Sequence, residues 1–477
     1  MNKLAVLGLG IENLALVKYF IKHGEMITVC DSRNETSLGE RYQELKRYGV
    51  NFRLGSNYLD NLTDFDIVFR SPGLPLFDSR LHQAQMAGVK ITSAMRLFLD
   101  LCPCRTIGVT GTKGKGTTSS LIAQILKYSQ AKKGLDVYLG GNIGIAPFEF
   151  LETIQPEDVV VLELSSFQLE DFEKSVHVAV ITNITEDHLA SADPLNPNHH
   201  KSRKDYIIAK TNLFRHQKSS DLTILNMEDA TCRELIPLVS GDLLTYGAEA
   251  QQKGAWFEKE PAGYYILWNI NQHVERLIHS SKIQVRGEHN LLNICAAALA
   301  SQAVDADPDS IRRGISEFTG LEHRLEYVGV VNGVQFYDDS FATAPDPTIV
   351  AIKAFIEPII LIAGGADKGA DFTGLAEVIL HSAVKTIILI GTLAPRIRKE
   401  VEETAQLFGL PIPAMKEGGK DMREIVTLAY HGAVPGDVIL LSTACASFDM
   451  FKNYKERGKL FKAAVQNLIN DDSVKHN

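Results

Sequence analysis

Thr106-Ile-Gly-Val-Thr-Gly-Thr-Lys-Gly-Lys-Gly-Thr-Thr118 decides the fold. Its first four residues make a mostly apolar run of strand length, and residues 116–127 read as a helix. A glycine-rich turn between strand and helix lets backbone N–H groups face inward around a phosphate. The helix N-terminus adds partial positive charge there, and a lysine can reach the β and γ oxygens. The candidate phosphate-binding residues are therefore Thr110, Gly111, Thr112, Lys113, Gly114, Lys115, Gly116, Thr117 and Thr118. Two departures from the strict GxxxxGK[ST] pattern stand out. Val109 occupies the first glycine position, and Gly116 removes the hydroxyl that would touch Mg²⁺, leaving Thr117, one residue late, as its candidate substitute.

Working outward, the same order of apolar run, polar turn and helical stretch recurs. Residues 4–7 lead into a turn at 8–13 and a helix at 14–22, and apolar runs return at 359–362, 386–390 and 438–441. Strands alternating with helices make parallel sheets covered on both faces. The expected fold is α/β with three domains: Rossmann-like over 1–98, a central P-loop ATPase-like parallel sheet over 99–319, and Rossmann-like again over 320–477. Between about 220 and 285 the texture becomes alternating, as in Tyr264-Tyr-Ile-Leu-Trp268, which adds antiparallel strands to the central domain.

Composition narrows the class. Among 477 residues, 49 Lys and Arg stand against 58 Asp and Glu, a net charge of −9, which argues against broad contact with nucleic acid. No apolar run approaches the ~18–20 residues of a membrane span. The start, MNKLAVLGLG, enters a strand directly without a signal-peptide pattern. Six scattered cysteines read as reduced thiols, and Cys102-Pro-Cys104 is too close for a zinc pair. A cytoplasmic monomer is expected, with neither nucleic acid nor membrane as partner.

Ligands of open parallel sheets bind beyond the carboxyl ends of strands. Glu163 follows the buried-strand run 159–162, and His188 lies in the exit from the run 178–181. A lone glutamate after a strand is ordinarily solvated, and a lone histidine is ordinarily a hydrogen bonder. Flanking a phosphate loop, the two become candidate Mg²⁺ ligands. Near the start, Gly8-Leu-Gly-Ile-Glu-Asn13 with Asp31 beyond it looks like a dinucleotide fingerprint whose third glycine is replaced by Asn13. An NAD-dependent oxidoreductase is the rival reading of that segment, and it leaves the phosphate loop unexplained.

TGTKGKGTT, GGNIG (140–144), ELSSFQLE (163–170), NITEDH (183–188), GEHNLLN (287–293), EHR (322–324), DDSFAT (338–343), GGADKGADF (364–372) and STACASFDMFKNYKERG (442–458) resemble the Mur ligases in order and spacing. The resemblance covers essentially the whole chain, and two of the blocks resemble the D-glutamate-adding members. It implies that the N-terminal domain holds the UDP end of UDP-N-acetylmuramoyl-L-alanine, the central domain binds ATP, and the C-terminal domain brings D-glutamate. ATP would phosphorylate the alanyl carboxylate, and the glutamate amine would attack the acyl phosphate. Other acceptors, L-glutamate among them, stay open as alternatives.

By the same resemblance, Lys115, Glu163, His188 and Lys210 are catalytic. Thr117, Glu163, His188 and a carbamylated Lys210 serve the metal, with ATP and Mg²⁺ as cofactors. Asn290, Asn293, Arg324 and Asp339 join the ATP site. Gly10, Asp31, Ser32, Arg33, Ser71 and Gly73 face the UDP end, and Asn142, Ser165 and Ser166 face the rest of that substrate. Thr343, Lys368, Ser447, Phe448 and Tyr454 match the acceptor pocket. Without the resemblance, Lys210 reads as an exposed helix residue, Phe448 and Tyr454 as core, and Ser447 as a helix cap. Phe341 departs from the pattern: the family commonly carries lysine there, so a cation near the reacting centre is missing.

Overall fold

Apolar runs set the strands of the computed structural model, which describes residues 2–185, 199–270, 272–367 and 369–475. Among the described residues the strands form three sheets. The first comprises β1 (Leu4–Leu7), β2 (Ile27–Asp31), β3 (Asn51–Leu54), β4 (Ile67–Arg70) and β5 (Lys90–Ser93), in the order β3-β2-β1-β4-β5. Every pairing in it is parallel. All four residues of β1 are buried, as a strand covered on both faces requires.

The second sheet holds β6 (Arg105–Thr110), β7 (Val137–Gly141), β8 (Val159–Glu163), β9 (Val178–Ile181), β10 (Leu222–Asn226), β11 (Asp242–Gly247), β12 (Gly254–Glu260), β13 (Gly263–Asn269) and β14 (Val274–His279). Its order is β14-β13-β12-β11-β10-β9-β6-β8-β7. The strand feeding the phosphate loop, β6, thus lies between β8 and β9 and pairs with both in parallel. The alternating segment forms the antiparallel strands β12, β13 and β14 at one edge.

The third sheet orders β15 (Glu326–Val331), β16 (Val334–Asp338), β20 (Val438–Leu441), β17 (Ile359–Gly364), β18 (Val384–Ile390) and β19 (Ala414–Glu417) in that sequence. Only the β15–β16 pairing is antiparallel.

The chain divides into two compact units, one of residues 1–280 with 291–315 and the other of 281–290 with 316–477. The first two sheets share the first unit, and the third sheet builds the second. Among the described residues no helix is long and apolar enough to cross a membrane.

Two helices begin earlier than their apolar spacing predicts. The first runs Ile11–Lys22 because Gly10 serves as its N-cap and the buried Asn13 amide ties back to Leu7 O and Gly8 O at 3.0 and 2.9 Å. The helix after the phosphate loop runs Lys115–Ala131, capped by Gly114 in the left-handed conformation.

Candidate functional site

The phosphate loop is held by the strand beside it. Thr112 N–H donates to Asn183 O at 2.8 Å, Lys113 N–H donates to Asn183 Oδ1 at 2.8 Å, and Asn183 Nδ2 returns a bond to Lys113 O at 2.9 Å. Thr182 Oγ1 donates to Lys113 O at 2.6 Å. This approach is close enough that a Cβ on Gly111, whose φ is +150°, would collide with Thr182 Oγ1. Gly114 has φ +85°, and a Cβ there would meet Asn293 Oδ1 at 2.6 Å. Asn293, on the helix Glu288–Gln302, accepts a bond from Thr118 Oγ1 at 3.2 Å and so belongs with the loop.

Two cationic side chains meet at one atom. Lys115 Nζ donates to Gly111 O at 2.8 Å and to Thr112 O at 3.0 Å. Lys210 Nζ also donates to Gly111 O at 2.8 Å, and it lies 4.6 Å from the Tyr206 ring centroid. Lys210 is only 1% exposed, which corrects the exposed position its helix pattern alone predicts. The reason is local. Tyr206, one turn earlier on the helix Arg203–Thr211, is buried with its hydroxyl 2.9 Å from Thr112 Oγ1, so this face of the helix packs on the loop. Thr117 is half-buried in the first turn of its helix, and Gly116 is buried.

Glu163 ends β8 as the register partner of Val109 and is buried. The exposed Asn142 donates through Nδ2 to Glu163 Oε1 at 2.9 Å, and its N–H donates to Glu163 O at 2.9 Å. Lys115, Lys210, Glu163 and Asn142 thus share the rim formed by neighbouring strand ends. His188 lies outside the described residues. Sequence reasoning missed Asn183 and Tyr206 as loop supports. Asn183 stands first in the run NITEDH (183–188), and Tyr206 stands four residues before Lys210.

Ser165 caps the short helix Ser166–Leu169 in a reciprocal box with Gln168. Gln168 Nε2 donates to Glu12 Oε2 at 2.9 Å. Glu12 thus ties the elements around the first two sheets together. Burial raises its carboxyl above the usual range, with the Gln168 bond opposing. The buried Ser166 has its Oγ 2.9 Å from His200 Nε2. Arg70, fully buried at the end of β4, donates to Phe167 O at 2.9 Å and pairs with Glu170 at 3.1 Å. Burial pushes the Glu170 carboxyl up to about 7.

At the first sheet, Gly10, Asp31, Ser32, Arg33, Ser71 and Gly73 gather beyond the adjacent ends of β1, β2 and β4. Leu9 N–H donates to Asp31 Oδ2 at 2.6 Å, and the Arg33 Nε and Nη2 donate to the same carboxylate at 2.9 and 2.7 Å. Burial pushes the Asp31 carboxyl up, but the Arg33 and backbone hydrogen bonds together outweigh it and hold it below its ordinary value. Ser32 and Gly73 are exposed, and Gly73 N–H donates to Ser71 Oγ at 3.3 Å.

Asn290, Arg324 and Asp339 belong to the second unit. There the ends of the adjacent strands β16, β20 and β17 gather Asp339, Ser442 and Gly365. Asp339 accepts from Ser442 Oγ at 2.7 Å and from Leu325 N–H at 3.1 Å. Burial pushes its carboxyl up to about 7. Asn290 is buried, with Nδ2 donating to Arg286 O at 2.7 Å. Ala366 N–H donates to Ala446 O at 2.9 Å, next to Ser447 in the chain, and Lys368 lies outside the described residues.

Ser447 is buried, its carbonyl accepting Met450 and Phe451 N–H. Phe448 is 67% exposed, which excludes the core role its type alone predicts. Thr343 and Tyr454 are half-buried. The hidden organiser is Arg457, fully buried, which donates to Ser340 Oγ, Ser340 O and Cys445 O at 2.9, 2.8 and 3.1 Å. Burial lowers its guanidinium to about 10. Sequence reasoning missed it because a lone arginine on a helix is ordinarily solvated.

Three family models match the chain: a Mur ligase MurD-like N-terminal domain over residues 2–93, a Mur ligase middle domain over 109–301, and a Mur ligase glutamate ligase domain over 323–445. The chain is 39% identical to the UDP-N-acetylmuramoylalanine–D-glutamate ligase of Symbiobacterium thermophilum, covering 98% of each chain. It is 38% identical to the ligase of the same name from Acetivibrio thermocellus, covering 98% of this chain and 97% of that one. In fold it is similar to the UDP-N-acetylmuramate-alanine ligase MurC of Thermotoga maritima, with TM-score 0.57, 18% identity, and 98% and 100% of the two chains covered. The MurF ligase of the same organism, solved in complex with ADP, matches with TM-score 0.55, 15% identity, and 98% and 95% coverage.

Proposed function

The chain belongs to the Mur ligase family, and from that premise we infer that it joins D-glutamate to UDP-N-acetylmuramoyl-L-alanine at the expense of ATP, a step of peptidoglycan precursor synthesis. The family models, and relatives of that name over nearly its full length, support this reading. The observation that carries its chemistry is the meeting of Lys115 and Lys210 on Gly111 O, on the strand rim that also carries Glu163.

A carboxylate is a poor electrophile at neutral pH, and phosphorylation gives it a leaving group. In the proposed reaction the alanyl carboxylate oxygen attacks the γ-phosphorus and ADP leaves. The glutamate amine then attacks the acyl phosphate, and phosphate departs as the amide forms. The loop N–H groups and the helix N-terminus bind the phosphates, and Lys115 turns from the loop carbonyls to the γ oxygens, where charge develops.

The donor set fits Mg²⁺ under one condition. Glu163 offers a buried carboxylate oxygen, whereas Lys210 as an ammonium would repel a cation. Reaction of its amine with CO₂, releasing a proton, would make it an anionic carbamate, and Glu163, His188 and Lys210 would then hold the metal with Thr117 nearby. Mg²⁺ bound there supplies positive charge to the phosphoryl oxygens.

Asn290, Asn293, Arg324 and Asp339 are assigned to ATP in this proposal. Gly10, Asp31, Ser32, Arg33, Ser71 and Gly73 hold the UDP end, and Asn142, Ser165 and Ser166 the remainder of that substrate. Thr343, Lys368, Ser447, Phe448 and Tyr454 receive the acceptor. A monomer working in the cytoplasm, where ATP and UDP-linked acids are found, completes the proposal. Mass spectrometry of the product made from ATP, UDP-N-acetylmuramoyl-L-alanine and a mixture of D- and L-amino acids tests it. The D-glutamyl product is expected, and exclusive use of another amino acid contradicts it.

A further inference from the structure

In the second unit Phe341 packs against Arg324. The Arg324 guanidinium carbon lies 3.8 Å from the centroid of the Phe341 ring. The Phe341 ring in turn meets Tyr454 edge-on, with centroids 5.1 Å apart and planes at 86°. Hydrogen bonds of the flanking backbone fix the two segments that carry them. Phe341 N–H donates to His323 O at 2.9 Å, Arg324 N–H donates to Leu321 O at 3.0 Å, and Leu325 N–H donates to Asp339 Oδ1 at 3.1 Å.

His323 and Leu325, on either side of Arg324, have φ of +65° and +48°, a region that side-chain-bearing residues rarely enter. Such strain persists only where the surroundings over-determine it, and it clusters at functional sites. Here the buried His323 Nδ1 to Asp338 Oδ2 bond at 2.7 Å and the His323 N–H to Glu326 Oε2 bond at 2.8 Å hold the turn. What this braced turn presents is an exposed arginine on an aromatic face, Phe341 itself being 37% exposed.

A lysine at 341 would set a second cation against Arg324, whereas the negative face of a phenylalanine ring attracts the guanidinium. A guanidinium lying over a ring keeps its N–H donors directed outward in its own plane, the edge that binds carboxylate or phosphate bidentately. We propose that Phe341 is a positioning residue that holds Arg324 in place as an oxyanion-binding cation. The oxyanion is the acceptor's carboxylate or the terminal phosphate of ATP, and in this the inference rests on the proposed ligase reaction.

Steady-state kinetics of the full-length protein and its Phe341→Leu, Phe341→Trp and Phe341→Lys variants test the pairing. Phe341→Leu should raise KM for D-glutamate or for ATP about five- to thirty-fold while leaving KM for the UDP-linked substrate unchanged. The KM that moves identifies the oxyanion. Phe341→Trp should restore it to within about twofold, and Phe341→Lys should not. Calorimetric binding of ATP and of D-glutamate to the same proteins makes the comparison without turnover. Unchanged constants in Phe341→Leu, a Trp variant as impaired as the Leu variant, or a Lys variant matching the parent would overturn the proposal. Absence of D-glutamyl product from the parent protein would instead overturn the ligase reading, and the binding series would still decide the role of Phe341.

Discussion

The phosphate loop of the first unit and the Arg324 turn of the second hold charged groups by opposite means. The loop is a backbone device: its amides and carbonyls are ordered by Thr182 and Asn183, and Gly111 O alone receives two lysines. The Arg324 turn is a side-chain device, braced by His323, Asp338, Asp339 and Ser442, with Arg457 fixing Ser340 beside them. A backbone device tolerates loss of the side chain it presents, because the presented group is not part of the scaffold. A side-chain device fails as a scaffold when one buried member is removed.

That contrast can be broken by substitution. Lys115→Ala should lower turnover at least about a thousandfold, ~4 kcal/mol of transition-state stabilisation, while unfolding stability moves by less than about 0.5 kcal/mol. Affinity for the UDP-linked substrate should persist, since its proposed contacts lie on other strand ends. Wild-type turnover, or a large loss of stability, contradicts the backbone account. Lys210→Ala should cost about a hundredfold in kcat, ~3 kcal/mol, and short carboxylic acids should recover part of it by replacing the missing anion. Rates unmoved by added carboxylate count against the carbamate.

In the other region the damage should fall on the fold. Arg457→Met strands Ser340 O and Cys445 O in the interior and should destabilise by about 2–3 kcal/mol in denaturant titrations. A change within the noise of the measurement would mean that Arg457 does not brace the turn.

The smallest effect is one of pH. Because burial raises Asp339 to about 7, the folded protein binds its proton more tightly than the unfolded chain does. Its contribution to stability is fully present below the ordinary carboxylate value of about 4 and is lost as pH rises through about 7. Asp339→Asn should flatten the stability profile between pH 5 and 8 by roughly 1–2 kcal/mol, read as melting temperature against pH. An unchanged slope would show that Asp339 is ionised throughout.

The two regions also differ in how far sequence alone discloses them. The loop was legible because its function needs glycines and lysines in one contiguous run after a strand, and the runs at 4–7 and 438–441 became β1 and β20 residue for residue. The braces of the turn are spread from His323 to Arg457, and no local pattern distinguishes a buried arginine from a solvated one. Lys210 lies between these cases. Helical spacing alone predicts exposure, and only its block resemblance pointed inward, because its burial depends on the contact of Tyr206 with Thr112. Glu12 stands in the Gly8–Asn13 turn, but its partner Gln168 lies 156 residues away and could not be read from spacing.

The account rests on activation of an acid by transfer of phosphate to its carboxylate oxygen at the loop. Synthesis with UDP-N-acetylmuramoyl-L-alanine labelled with ¹⁸O in the alanyl carboxylate tests this directly. One labelled oxygen should appear in inorganic phosphate for each D-glutamyl product formed, and phosphate released without label would contradict it.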